Sequence, residues 1–74
     1  MTVFDILEQI NVQGGFCIKV WNDAENDYII LASGQDIETE YRNIKENILN
    51  CGVKYLYAID GNLVFELDME NLHR

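Results

Sequence analysis

The 74-residue sequence contains no proline, a single histidine and only five basic residues. Ser, Cys and Thr nucleophiles need a positioned base, usually histidine, and the one histidine here is His73, next to the last residue. A pair of carboxylates acting as general acid and base needs a ligand-sized cleft, which a chain this short seldom builds. We therefore expect a protein that is not an enzyme.

Cysteine is also scarce, and its spacing fits no metal or redox motif. Cys17 and Cys51 are 34 positions apart, with no Cys-x-x-Cys pair. The acids of residues 23–27 alternate as in a calcium loop, but Tyr28 stands where that loop needs glycine and Gly34 where it needs glutamate. The sequence predicts two free, buried thiols, no metal site and no cofactor.

Long apolar runs are missing as well. The longest, at residues 28–32 and 55–59, hold five residues, whereas a membrane-spanning helix needs about 20. The first residues do not resemble a signal peptide, because they lack a basic start and because Asp5 and Glu8 interrupt the apolar side chains. We expect no contact with a membrane and a cytoplasmic location.

Acidic residues, by contrast, are abundant: thirteen against five basic ones give a net charge of -8. This charge repels phosphate backbones and anionic lipids, so direct binding to nucleic acid is disfavoured. The charge is also uneven, since residues 1–40 contain eight acids and one base, and residues 41–74 contain five acids and four bases. One part of the surface is therefore expected to be strongly negative.

Hydrophobic periodicity predicts a helix followed by a hairpin, and later a second hairpin. Apolar residues at helical spacing follow Thr2, which with Asp5 forms a capping box. Apolar alternation predicts strands over residues 16–21 and 28–32. Two more strands, over 54–59 and 62–68, flank Asp60-Gly61, a dipeptide typical of type I′ turns.

A second helix is predicted between the hairpins. Its apolar stripe has spacings of four, three and four, Asp36 is available as a cap, and Gly52 is expected to end the helix as a C′ glycine. The order α-β-β-α-β-β predicts an α+β fold, with a four-stranded antiparallel sheet and two helices on one face. The predicted core consists of Leu7, Ile10, Ile18, Val20, Ile29, Leu31, Ile37, Tyr41, Ile44, Ile48, Leu56, Leu63 and Phe65. We expect one domain over residues 1–74, with 69–74 as a loose tail.

The negative surface is predicted to consist of six carboxylates: Asp23, Glu25, Asp27, Asp36, Glu38 and Glu40. One interpretation is local, since acids favour turns, solubility and the positive end of a helix dipole. The functional interpretation is a surface that occupies a basic groove in a partner protein, for example a groove that binds nucleic acid.

The sheet face away from the helices is predicted to collect five large side chains: Trp21, Tyr28, Tyr55, Tyr57 and Ile59. Strand propensity alone accounts for many aromatic residues. Base stacking, as on RNA-binding sheets, is disfavoured because only Lys19 and Lys54 lie nearby. Trp and Tyr are common interface anchors, so this face is expected to contact a protein partner or a second copy in a homodimer.

Three segments carry a resemblance: the opening Thr2-Val3-x-x-Ile6-Leu7-x-x-Ile10, the acidic hairpin, and residues 55–63 (YLYAIDGNL). They resemble small acidic proteins of bacterial prophages and other mobile elements, some of which inhibit host defence or transcription by covering nucleic-acid-binding grooves. The resemblance implies that a prophage or another mobile element encodes the protein, and it assigns no functional residue. Our leading hypothesis is a non-enzymatic protein-binding module of this inhibitor type, and the alternative is a small self-associating accessory protein.

Overall fold

A computed structural model describes residues 1–9 and 14–68, and in them the chain forms three short helices and one four-stranded sheet. The helices are α1 (Val3–Gln9), α2 (Ile37–Glu40) and α3 (Glu46–Leu49), with a 3₁₀ turn at Tyr41–Asn43 between the last two. The strands are β1 (Gly15–Asn22), β2 (Asp27–Gly34), β3 (Val53–Ile59) and β4 (Asn62–Leu67). The predicted α+β class is confirmed. The predicted tail and Ile10 lie outside the described residues.

The sheet is mixed, with the strand order β2-β1-β4-β3. The two hairpins are antiparallel, as predicted, but the central strands β1 and β4 run parallel, with Ile18 opposite Phe65. The prediction of a purely antiparallel sheet is therefore wrong. Alternation of apolar residues determines which face of a strand is buried, and it is the same for parallel and antiparallel neighbours.

The two central strands supply all the fully buried residues of the sheet. β1 buries Phe16, Ile18 and Val20, whereas no residue of β2 or β3 is fully buried. Ile18, Val20, Ile37, Ile44, Ile48 and Phe65 confirm the predicted core. Leu7, Leu31, Tyr41 and Leu63 pack half-buried against it. The list of core residues missed Val3, Ile6, Phe16, Val64 and Leu67, which are also buried, and Cys51 is buried as predicted for the thiols.

Two predicted core residues, Ile29 and Leu56, are exposed by 36% and 38%. Both point toward the helices, since Ile29 pairs with Val20 and Leu56 with Phe65. They lie on the outer strands, however, and the short helices cover only the middle of the sheet. The prediction was wrong because alternation reports the face of a residue and not its distance from the sheet centre.

The predicted second helix is broken. Ile44 (φ -75°, ψ 132°) and Lys45 (φ -60°, ψ 143°) have extended backbones between the 3₁₀ turn and α3. Residues 37–50 contain three asparagines, four β-branched residues and no alanine, so their intrinsic helix propensity is low. The break still leaves Ile44 and Ile48 buried against the sheet.

Of the two predictions that depend on glycine in the second half of the chain, the turn at Asp60-Gly61 is confirmed and the helix end at Gly52 is not. Asp60 (φ 51°) and Gly61 (φ 80°) both have positive φ, which confirms the predicted type I′ hairpin. Gly52 does not have positive φ and does not act as a C′ residue; it forms an isolated antiparallel bridge with Thr2.

The capping box at the start of α1 is confirmed. The Thr2 N–H donates to Asp5 Oδ2 at 3.0 Å, and the Asp5 N–H donates to Thr2 Oγ1 at 3.1 Å. Backbone hydrogen bonds from Val53 to Met1 and from Val3 to Cys51 flank the Thr2–Gly52 bridge. The first helix is thereby tied to the start of β3.

Because of the capping box, the stability of the fold should depend on pH in the acidic range. The hydrogen bonds from Thr2 lower the pKa of Asp5 below its ordinary value of 3.8. The stabilising effect of the carboxylate is therefore fully present above the ordinary value and is lost as the pH falls through the lowered one. The difference in Tm between wild type and Asp5→Asn should be constant well above pH 3.8 and should shrink as the pH falls below that value. A difference independent of pH would contradict this assignment.

Candidate functional site

The sheet face opposite the helices, here called the outer face, has no helix over it in the described residues. Strand register places twelve side chains on it: Cys17, Lys19, Trp21, Tyr28, Ile30, Ser33, Tyr55, Tyr57, Ile59, Asn62, Val64 and Glu66. They include all five residues of the predicted aromatic face. The parallel pairing of β1 with β4 brings the two hairpins side by side and makes this one continuous surface.

The rim of the outer face exposes large apolar side chains. Ile30 is 62% exposed, Tyr55 57% and Ile59 55%, and Trp21 and Tyr28 are also exposed. Sequence reasoning placed no site at Ile30, although its alternation with Tyr28 was a usable signal. Large exposed apolar side chains gathered on one face are typical of interaction sites.

The centre of the outer face is a packed polar network. Lys19 Nζ lies 4.0 Å from the ring centroid of Tyr28 and 5.8 Å from that of Tyr57. A hydrogen bond with Tyr57, together with the nearby Glu66, raises the pKa of Lys19, and a hydrogen bond to Glu66 raises the pKa of Tyr28. Lys19 is a cation and Tyr28 a neutral phenol at neutral pH even with ordinary pKa values, and both shifts reinforce these states.

A groove of about 360 Å³ opens at the end of the outer face nearest the β1–β2 turn. It is lined by Trp21, Asp23, Tyr28, Lys54, Tyr55, Glu66, Leu67 and Asp68. The rings of Trp21 and Tyr28 meet edge to face, with centroids 4.9 Å apart and planes at 75°. Asp23 Oδ1 accepts the Trp21 indole N–H at 2.6 Å, so the hairpin itself orients the indole.

A second cavity, of about 370 Å³, lies between the edge strand β2 and residues 43–48. Its lining is mainly aliphatic and amide side chains, with Lys45 as the one charged group. It offers few convergent polar groups to orient a ligand.

The six predicted acidic residues form two groups at opposite ends of β2. Asp23, Glu25 and Asp27 are at the β1–β2 turn, and the other three are at the start of α2. The eight residues of β2 put roughly 25 Å between the groups, at about 3.3 Å per residue. The structure thus brings the acids together within each group but not across them.

Most of these acids take part in local hydrogen bonds. Asp36 caps α2 by accepting the Glu38 N–H at 3.1 Å, and Glu40 Oε2 accepts the Asp36 N–H at 3.0 Å. Asp27 Oδ1 accepts the Tyr28 N–H at 2.7 Å. Within the described residues, the exposed carboxylates of Glu25 and Glu38 accept no hydrogen bond.

The two cysteines are free, as predicted. Burial raises the pKa of the Cys51 thiol, which favours its protonated, unreactive form. Cys17 is only half-buried, so the prediction of two buried thiols is half correct. It lies on the outer face beside Val64, because β1 alternates and its other face packs on the core.

The chain matches no protein-family model, no curated protein and no solved structure. Within residues 1–9 and 14–68, no three His, Cys, Asp or Glu side chains gather as a metal ion would need. No helix in that part of the chain has the length and apolar character needed to cross a membrane. Function has to be inferred from the outer face and the charge.

Proposed function

We propose that the protein is a non-enzymatic binding module that docks a basic partner protein through its outer face. The observation that supports this is the exposed apolar rim of a sheet face that no described helix covers. Its most exposed members, Ile30, Tyr55 and Ile59, are on the edge strands, with Trp21 and Tyr28 beside them. Tyr and Trp are enriched among the residues that dominate binding energy at interfaces.

Charge favours a basic partner over a second copy. Each chain has a net charge of -8, so two copies would repel each other, whereas a positively charged partner would be attracted. The acidic groups at the two ends of β2 extend this attraction along one edge of the sheet.

The specific form of the proposal is an inhibitor that occupies a basic nucleic-acid-binding groove of a host protein. It is supported by the net charge, by the exposed carboxylates of Glu25 and Glu38, and by the resemblance to small acidic prophage proteins. In this form the acids speed the encounter and the outer face provides the lasting contact.

The double variant Ile30→Thr/Ile59→Thr should weaken partner binding by about tenfold or more, because each substitution removes exposed apolar contact area. Threonine keeps the strand propensity, so the fold should persist. The partner is captured from host cells with the tagged protein and purified, and its Kd is then measured by calorimetry for each variant.

The matched control is Leu56→Thr, which makes the same kind of change on the opposite face of β3. It should leave the Kd within about twofold. Equal effects of the two changes, or a wild-type protein that sediments as a stable dimer and binds no partner, would contradict the proposed function.

The inhibitor form predicts a salt-dependent encounter. Association should slow as salt rises from about 50 to 300 mM, because screening shortens the range of attraction to below about 10 Å. Glu25→Lys and Glu38→Lys should each slow association further, while Glu8→Lys, the same charge reversal at an exposed position of α1, should have a smaller effect. Association rates measured by stopped flow that change neither with salt nor with these substitutions would refute the groove-occupying form.

A further inference from the structure

We propose that the groove at the turn end of the outer face is a receptor for an arginine side chain of the partner. This inference rests on the proposed function, since it names the chemical group that one part of the outer face would recognise.

The groove has an aromatic corner. Trp21 and Tyr28 meet at 75° with centroids 4.9 Å apart, and Tyr55 lines the same groove. Its volume of about 360 Å³ is in the range of small ligand sites. Aromatic walls at an angle to each other suit a flat or compact cation, because each ring face carries negative potential.

Lysine ammonium groups of the protein already lie over two of the three aromatic rings of the groove, those of Tyr28 and Tyr55. Lys19 Nζ lies 4.0 Å from the Tyr28 centroid, and Lys54 Nζ lies 5.5 Å from the Tyr55 centroid. Tryptophan binds cations more strongly than tyrosine, yet no cation of the described residues lies over Trp21. Because Trp21 is 39% exposed, its ring is accessible to a cation from another molecule.

The groove also has the right charge for a cation. Its lining includes the carboxylates of Asp23, Glu66 and Asp68 and the ammonium group of Lys54. The ammonium group of Lys19 lies against Tyr28 and near Glu66, so the five charges sum to a net formal charge of -1. Asp23 accepts the indole N–H at Oδ1, and a carboxylate has about four acceptor sites. Oδ2 is therefore available beside the indole ring.

These features favour guanidinium over ammonium. A planar guanidinium can stack on the Trp21 ring and at the same time donate N–H groups to an adjacent carboxylate. A lysine ammonium, a compact and strongly hydrated charge, gains less from a stacking surface.

Trp21 is the single tryptophan of the chain, so its fluorescence reports directly on the groove. The probes are three peptides, acetyl-Gly-X-Gly-amide, in which X is arginine, lysine or citrulline, the neutral analogue of arginine. The arginine peptide should produce a saturable change in emission. Its affinity should exceed that of the citrulline peptide by about tenfold and that of the lysine peptide by about threefold.

The matched variants are Asp23→Asn and Asp60→Asn. The first keeps an oxygen that can accept the indole N–H but removes the charge, and it should weaken arginine-peptide binding by about three- to tenfold. The second makes the same change at the β3–β4 turn, at the other end of the sheet and outside the groove lining, and should leave binding nearly unchanged.

Three results would overturn the arginine assignment: no saturable response, equal affinity for the arginine and citrulline peptides, or equal losses in the two variants. The proposed function is tested separately by Ile30→Thr/Ile59→Thr. Partner binding that needs Ile30 and Ile59 but is unaffected by Asp23→Asn would remove the arginine receptor and leave the proposed function in place.

Discussion

Phe65→Ala should lower the free energy of unfolding by about 3–5 kcal/mol. Phe65 is completely buried on the central strand β4, with Ile18 and Leu56 as its partners in the neighbouring strands. Removing the ring leaves a cavity beneath the helices that the surrounding strands cannot fill. Because a domain of this size has about 4–11 kcal/mol of stability, the loss should be plain in urea unfolding.

The matched control is Leu56→Ala, which truncates the residue paired with Phe65 on the same face. Leu56 is 38% exposed, so its truncation should cost about 1 kcal/mol. If Phe65→Ala unfolds the protein, Phe65→Leu provides a milder version of the comparison. Similar losses at the two positions would mean that the helices cover the edge strand as well as the centre.

Lys45→Pro should leave the free energy of unfolding unchanged or raise it by up to about 1 kcal/mol. Lys45 has the φ of proline, -60°, and Ile44 has the extended backbone that proline requires before it. Within the described chain, the Lys45 N–H donates no hydrogen bond that proline would remove. In the unbroken helix indicated by the apolar stripe, the same change would cost about 3 kcal/mol.

Two controls isolate the backbone effect. Asn50→Pro removes the N–H that donates to the Glu46 carbonyl at 3.0 Å, so it should cost about 3 kcal/mol. Lys45→Ala removes the same charge without constraining the backbone. Urea unfolding of the three variants decides the matter, and a large loss for Lys45→Pro would argue for a continuous helix.

The features that sequence predicted correctly are local ones. Thr2 and Asp5 are three positions apart, and Asp60-Gly61 forms its turn from two adjacent residues, so short-range chemistry is enough to specify them. The helix break at Ile44 was missed because burial of the apolar stripe is compatible with both a helix and a broken segment. The parallel pairing of β1 with β4 was missed because it depends on contacts between distant parts of the chain.

For the candidate site too, the local features could be predicted and the long-range contacts could not. Alternation was sufficient to assign Trp21 and Tyr55 to one face, but not to show that both line one groove with Glu66. That placement depends on the pairing of Lys19 with Glu66 across the two central strands. The six acids were taken as one surface because their distance along β2 is not visible in a charge count.

The parallel pair at the sheet centre also bears on how the chain folds. Phe16 pairs with Leu63, 47 positions later, whereas each hairpin joins residues close in sequence. Isolated hairpins form in about 1–10 μs, but closing so long a loop costs entropy before any interior contact offsets it. We therefore expect the pairing of β1 with β4 to limit the folding rate, so that substitutions along these two strands slow folding more than substitutions in either turn.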